Sequence, residues 1–551
     1  MDKKTILAFA LSFVILVGWS LFFAPQPKKE PPKESSPESV QPEHEKSSVT
    51  ISPAAPSKTI AAVEQPTVQQ EEKRIKIDTP LYSAVFSNVG PTIKSFKLKK
   101  YRQTVNPESP FVEMVTLEEG MGDYLTILFD DSIDASTQNI AFSADKESLT
   151  LQQGSEPATI VFRGTNRNGI AITQTYRFHP DRYGIDLAVT AVNPNTVTVN
   201  GVFRTTLRAL PPKDKGGYYA YVGFALFLDD KLDELEVEDP GETKSATGTI
   251  GWICYEDNYF ISAVVPEVPA KGSFTGKHLS SGVFEGVYLP AAVSLPPSAQ
   301  ATSEYELYLG PRDLSILKKF GKNLDKAINF GWTDIIAKPL LYVLKFFDAY
   351  LHNYGVSIIL LTILVKILFW PLTHKSYKSM KEMQKLQPRM AKLREKYKGD
   401  KQKLNQEMMA LYKTYKVNPM GGCLPMVVQI PVFFALFRVL GACIELRHAP
   451  FIFWINDLSA PDRLFHFSFQ IPFMAPPYGI PVLTLLMGAS MFIQQKMTPS
   501  PGDPAQAKIM MFLPVIFTFM FINFPSGLVL YWLVNNLLSI GQQYRIYKKK
   551  A

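Results

Sequence analysis

Val356-Ser-Ile-Ile-Leu-Leu-Thr-Ile-Leu-Val-Lys-Ile-Leu-Phe-Trp-Pro-Leu372 leads directly into 373–420, which carries 13 Lys and Arg against 4 Asp and Glu. An apolar run of this length can cross a hydrocarbon core of about 30 Å as a helix. A cationic loop beside such a run marks the cytoplasmic side of the membrane. Together the two observations select a helical membrane protein, and the rest of the chain can be oriented from them.

The chain has 551 residues, too many for one core, so several domains are expected. It is 46% hydrophobic and 20% charged with a mean hydropathy of 0.00, which excludes a disordered chain, a collagen and a disulfide scaffold. The average hides a division. Residues 346–551 hold 23 Lys and Arg against 9 Asp and Glu, whereas residues 1–345 hold 35 against 41. The basic excess therefore lies in the apolar part, which points to a membrane and gives no reason to expect DNA as a partner. Cys254, Cys423 and Cys443 are too few for a disulfide framework.

Further apolar runs lie at 6–24, 424–444, 480–494, 509–524 and 527–540, which with 356–372 makes six spans. Residues 6–24 follow Lys3 and Lys4 and are longer than the usual core of a signal peptide. Phe22-Phe-Ala-Pro25 is also a poor cleavage site, so an uncleaved anchor is favoured over a cleaved signal. The last three runs are short for a bilayer, which requires local thinning or shelter among neighbours. Pro525 and Gly527 split what would otherwise be one overlong run. The tail carries Arg545, Lys548, Lys549 and Lys550, while 445–479 has nearly balanced charge. Both termini and 373–420 are then cytoplasmic, and 25–345 and 445–479 are outside.

The outer segment has two textures. Residues 25–73 are rich in Pro, Glu, Ser, Gln and Lys without an aromatic residue, and read as a disordered linker. From Arg74, stretches such as Ile75-Lys-Ile77, Tyr82-Ser-Ala-Val-Phe86, Ile93-Lys-Ser-Phe-Lys-Leu98, Thr173-Gln-Thr-Tyr-Arg-Phe178 and Ile185-Asp-Leu-Ala-Val189 alternate with period two. They predict an antiparallel β-sandwich over 74–330. It holds no H-E-x-x-H, no G-x-S-x-G and no metal-ligand spacing. Gly272-Ser-Phe-Thr-Gly-Lys-His278 is one residue short of a P-loop and lacks its Ser or Thr, so it reads as a β-turn. A non-catalytic binding or spacer domain is expected, with no cofactor and no metal. Residues 313–329 and 334–347 look helical. The second is apolar with Trp332, Lys338, Tyr342 and Lys345 nearby, and fits an interfacial helix over 331–350 or a core helix of the strand domain.

Within 373–420, Met380, Met383, Leu386, Met390, Leu393 and Tyr397 fall on one helical stripe, and after Gly399-Asp400 so do Leu404, Met408, Leu411 and Tyr415. Two amphipathic helices joined by a tight turn make a hairpin. The stripes pack partly on each other. The surplus of adaptable Met and cationic Lys also suits an emerging apolar segment, through Met383, Leu386, Met408 and Leu411, and anionic lipid or ribosomal RNA. Pro388 should kink the first arm.

Lys366 is the only ionisable residue in 356–372. An intramembrane cation is a functional candidate, and Thr362 shares its face one turn away. The alternative is that Lys366 snorkels to the nearby head groups. Gln429, Asn535 and Asn536 are polar groups in other spans. They either bond between helices or, with Lys366, wet a groove open to the cytoplasm.

These residues carry a family resemblance: Gln406-Glu-Met-Met-Ala-Leu-Tyr-Lys413, Val417-Asn-Pro-Met-Gly-Gly-Cys-Leu-Pro425, Gln429-Ile-Pro-Val-Phe433, Phe524-Pro-Ser-Gly-Leu-Val-Leu-Tyr-Trp532, Trp370-Pro-Leu-Thr373 and Asp78-Thr-Pro-Leu-Tyr82. The chain resembles the Gram-negative form of the YidC family of membrane protein insertases, relatives of the mitochondrial Oxa and chloroplast Alb proteins. The resemblance implies a periplasmic β-supersandwich akin to galactose mutarotases but without their activity. It implies an inner-membrane protein of six transmembrane helices, the last five (351–551) enclosing a hydrophilic groove closed outside and open to cytoplasm and lipid. Lys366, Thr362, Gln429, Trp532 and Asn535 would line it. The family usually has Arg at the position of Lys366 and Tyr at that of Trp532; Lys keeps the charge and loses the bidentate fork. The expected function is non-enzymatic insertion and folding of nascent membrane proteins, alone or with the Sec translocon (SecYEG, SecDF), with the ribosome, the signal recognition particle receptor and anionic lipids as further partners. A small-solute channel or transporter and an envelope assembly scaffold are the alternatives.

Overall fold

The computed structural model describes residues 72–118, 120–130, 140–212, 221–415, 417, 424–498 and 504–548. The expected first span 6–24, the linker up to Glu71, Cys423, most of the 417–425 motif and the last Lys pair lie outside these residues.

Each alternating stretch is a strand. Arg74–Asp78, Tyr82–Ser87 and Thr92–Arg102 pair antiparallel in a five-stranded sheet. Ala171–Phe178 and Gly184–Val192 pair in a fourteen-stranded sheet whose middle strands are Phe260–Pro266 and Gln300–Pro311. Gly184–Val192 buries every second residue, whereas all seven residues of Phe260–Pro266 are buried. The first pattern belongs to a strand covered on one face, the second to one covered on both. Aromatic rings fill the space between, among them Trp252, Phe224, Phe274, Phe86 and Phe178.

The sequence 272–278 is not a turn. It lies in the strand Ala270–His278, paired on both sides. Its glycines serve packing: a Cβ on Gly276 would lie 2.8 Å from Leu235, and one on Gly286 opposite 2.6 Å from the Phe274 ring.

The last strand hands the chain to helices through short, capped joints. Asp313 accepts hydrogen bonds from the N–H groups of Ser315 and Ile316 and so starts α1, Leu314–Phe320. The expected helix 313–329 stops there: Gly321 takes φ +87°, and the rest is a 3-10 turn at Leu324–Ala327. α2 spans Asp334–Leu351. His352 closes it in the left-handed region, and the Asn353 side chain caps α3 two residues later.

α3 corrects an expectation. The second span and the first arm of the hairpin are one helix, Tyr354–Lys396, of 43 residues. Pro371 and Pro388 both lie inside it with exposed rings. Each proline forfeits one hydrogen bond, and Lys, Met, Gln, Leu and Arg around Pro388 are good helix formers. Asp400 caps α4, Lys401–Thr414, which folds back on α3. α5 spans Leu424–Ala442, α6 Val482–Met497, α7 Pro504–Phe521 and α8 Ser526–Lys548. The break between α7 and α8 falls at Ile522–Pro525, where Pro525 lacks the N–H a continuing helix needs.

Among the described residues α3 alone is long and apolar enough to cross a membrane by length and composition; Val428–Ala442 and Met510–Phe521 are shorter apolar helices. Large hydrophobic side chains are exposed unevenly. Among the described residues of the strand domain only Val105, Val197 and Val268 are, whereas the helical part exposes Ile335, Leu368, Phe512 and many more. A surface of the second kind is stable only against an apolar environment or partner.

Candidate functional site

α3 and α8 pack side by side, and their contact is polar in the middle. On α3 the buried polar residues are Ser357, Thr362, Lys366, Thr373 and Ser376. On α8 they are Asn536, Ser539, Gln542 and Gln543, with Asn535 half-buried. The α8 spacings of three and four keep them on one face.

Lys366 is 8% exposed, and its ammonium donates to Ser539 Oγ at 2.7 Å. The Ser539 hydroxyl donates in turn to the Asn535 carbonyl at 2.7 Å. An ammonium has three N–H groups. One is used, by a neutral acceptor, and Lys366 makes no ion pair with any described residue. Its side chain reaches across to α8.

Asn535 joins a third helix, since Gln429 Nε2 on α5 donates to its Oδ1 at 2.9 Å. Asn536 Nδ2 donates to Ser490 Oγ on α6 at 3.1 Å. Further along both helices, Gln542 Nε2 donates to Thr373 Oγ1 at 2.9 Å. The Thr362 hydroxyl is consumed by the Ile358 carbonyl of its own helix at 2.6 Å, so it shapes the wall and leaves no donor to a ligand.

Lys366, Gln429 and Asn535 are therefore brought into one network through Ser539, with Thr362 beside it. Trp532 is not in that network. Its ring sits among Phe433, Phe517 and Phe521, with centroids 4.7, 6.0 and 4.9 Å away. The sequence reading missed Ser539, Gln542 and Thr373. For Ser539 and Gln542 the signal was present as a polar residue on each turn of α8 after Asn535.

In the hairpin Leu386 and Met390 are buried, and Met383, Met408 and Leu411 are half-buried. Much of each stripe is thus spent on the other arm. Arg389 stacks on Tyr415 with 4.8 Å to the ring centre, which ties the arms together. The open methionine is Met409, 55% exposed and off the expected stripe.

Charges near the strand domain are matched. Arg312 Nε lies 3.1 Å from Glu256 Oε2, and both residues are buried. The pair is close but poorly aligned, since neither Glu256 oxygen accepts a hydrogen bond. Burial consequently pushes the Glu256 carboxyl up to about 7, against the pull of Arg312. Lys345 of α2 bridges Asp313 at 3.0 Å and Glu445 at 2.8 Å. Burial alone would lower it, but the Glu445 and Asp313 carboxylates outweigh burial and hold it above its ordinary value.

Residues 346–551 match the family described as 60Kd inner membrane protein, and residues 74–343 match the YidC periplasmic domain. A protein of Syntrophus aciditrophicus named membrane protein insertase YidC is 44% identical over 569 aligned positions, covering 100% of both chains. One of Geobacter metallireducens with the same name is 42% identical, covering 100% of this chain and 99% of its own. The solved structure titled "Active YidC insertase crystal structure with the first transmembrane domain resolved" covers 86% of this chain and 93% of its own at 18% identity, with a TM-score of 0.38. Full-length identity at this level, spread over both the strand domain and the helices, means that the chain belongs to the YidC family of membrane protein insertases.

Proposed function

We propose that this chain inserts newly made proteins into the bacterial inner membrane by attracting them to the seam between α3 and α8. The observation that carries this reading is Lys366: a buried cation, on the helix best suited to span the membrane, whose described partner is a neutral hydroxyl. Such a charge is costly to hold in place, and an acidic or polar substrate flank lowers that cost. In surroundings of low dielectric its attraction for a carboxylate is several times that in water.

The route follows from the placement of the parts. The hairpin 373–420, with Met409 exposed, receives an apolar segment in the cytoplasm. Its polar flank enters the seam toward Lys366 and the Gln429–Asn535 pair. The short helices α6 and α7 leave less hydrocarbon to cross. The apolar segment then moves onto the lipid-facing side, driven by burial of about 25 cal/mol per Å². No step transfers a group, and the work is that of a chaperone. The topology in this reading has six spans, counting 6–24, with both termini and the hairpin cytoplasmic. The strand domain 74–330 is periplasmic, α2 is interfacial, and 351–551 form the insertase core. The Sec translocon, the ribosome and the receptor of the signal recognition particle are partners that fit a hairpin rich in Lys.

Photocrosslinking from positions 366 and 429 to a stalled membrane-protein nascent chain tests the seam. Crosslinks from both are expected. Crosslinks from the outer face of α7 with none from 366 or 429 would move the path elsewhere.

A further inference from the structure

A cavity of about 240 Å³ lies between the strand domain and the outer ends of the core helices. Asn258 and Glu234 line it from the strand side, and Phe437, Arg438, Gly441 and Leu528 from the helices. This is far more room than a single water requires.

Arg438 is the unusual residue. It stands one turn from the end of the apolar helix α5 and is half-buried. Neighbouring cations have acids: Arg312 has Glu256, Lys345 has Asp313 and Glu445, and Lys338 has Asp334. Arg438 has no ion pair with any described residue. Its guanidinium lies under the turn at Gly331, where a Cβ would stand 3.1 Å from Nη1. That turn takes φ +60°, so glycine both permits the backbone and leaves the guanidinium its room.

From the strand side, Asn258 Nδ2 donates to the Gly441 carbonyl of α5 at 3.1 Å, and acceptors are left over. Asn258 Oδ1 is buried with no hydrogen-bond partner. Glu234 meets Asn329 Nδ2 at a long 3.4 Å. The cavity thus offers an anion the Arg438 guanidinium and a cationic donor the Glu234 carboxylate and the Asn258 oxygen; Arg312 and Glu445, which also line it, are paired with Glu256 and Lys345, and Phe437 and Leu528 are apolar.

The rim indicates the source of such a ligand. Trp332, 63% exposed, leads into α2, whose outer face presents Ile335, Phe346 and Tyr350 to the surroundings. Exposed aromatic residues beside an apolar helix bundle mark head-group depth. We infer that this cavity binds the phosphoethanolamine head group of a membrane phospholipid, phosphate on Arg438 and ammonium toward Glu234 and Asn258. The inference rests on the outward placement of the strand domain proposed above. Guanidinium and phosphate make paired, charge-assisted hydrogen bonds, which a neutral amide cannot replace.

The test is native mass spectrometry of the full-length chain in detergent, incubated with phosphatidylethanolamine, with phosphatidylglycerol or with inorganic phosphate. One retained phosphatidylethanolamine is expected. Arg438→Gln should weaken retention by roughly tenfold or more and Arg438→Lys by less. Gly441→Phe tests the site without touching its charge: no atom lies within 4 Å of a Cβ at Gly441, so the ring can enter the cavity and displace the lipid. Undiminished retention in Gly441→Phe, or in a folded Arg438→Gln, overturns the inference. So does equal retention of phosphatidylglycerol, or displacement by inorganic phosphate alone, which would leave a simple anion site. No insertion substrate is present, so this outcome is independent of that of the crosslinking from positions 366 and 429.

Discussion

The strand domain and the helical core both bury cations, and Arg312 in the first and Lys366 in the second are treated differently. Arg312 is hidden beside the carboxylate of Glu256 and donates to the Ala327 carbonyl at 2.7 Å. Lys366 is hidden to the same degree beside a serine. A buried charge with a counter-charge is part of the frame, and removing one partner strands the other. A buried charge with neutral neighbours is maintained at a cost that structure alone does not repay, which is the mark of a site. The same division appears on the surface: the strand domain hides its large apolar side chains, and the helices show theirs.

The largest expected effect breaks the comparison at Lys366. Lys366→Ala should lower insertion of substrates with acidic leading tails by roughly tenfold or more, about 1.4 kcal/mol of lost stabilisation at the least, while Lys366→Arg retains it. Protease protection of such a substrate in a depletion strain gives the measurement. Equal insertion by the alanine variant would make Lys366 as structural as Arg312.

Arg312→Ala should act on stability and leave the seam alone. Leaving Glu256 buried and unpaired should cost the strand domain about 3–5 kcal/mol. Hydrogen exchange in the full-length protein should show the loss in strands 243–266 and no change around α8.

Glu256 sharpens the comparison through pH. Its carboxyl titrates near 7 when folded against 4.5 ordinarily, so between those values the folded state binds more protons. Stability is then highest below about 4.5 and falls as pH rises toward 7, by an amount of order 3 kcal/mol. Glu256→Gln should flatten that decline. An unchanged profile in thermal melts from pH 4.5 to 7.5 would place the titration elsewhere.

The smallest effect on insertion should come from deleting 74–304, which removes most of the strand domain but spares Asp313, the partner of Lys345. Loss of insertion at normal protein level would give that domain a share in the activity.

Period-two alternation announced strands such as Gly184–Val192, because a strand's two faces meet different surroundings. The turn expected at 272–278 turned out to be strand because its glycines answer to Tyr288 and Leu289 on one side and to Leu235 and Phe224 on the other, residues brought near only by the fold. Pro388 is expected to kink the first arm, and α3 runs through it without ending. Helix continuity is a sum over many residues, and one lost hydrogen bond does not decide it. At the site, Lys366 was legible as an odd charge in an apolar run, but its partner Ser539 lies 173 residues away. Trp532 and Asn535 are one turn apart in sequence and were read together. In the fold the first faces phenylalanines and the second faces Gln429.

Sequence by itself determined the division into a β-rich part and an apolar helical part and, through its motifs, the family. The division follows from local periodicity and charge, and the family from short motifs, all of which each stretch carries whatever it packs against. Tertiary structure decided which buried charges are matched, which polar residue of α8 meets Lys366, and that Arg438 lines a cavity beside Asn258 and Glu234. Such facts depend on distances between residues far apart in the chain, and no local pattern encodes them.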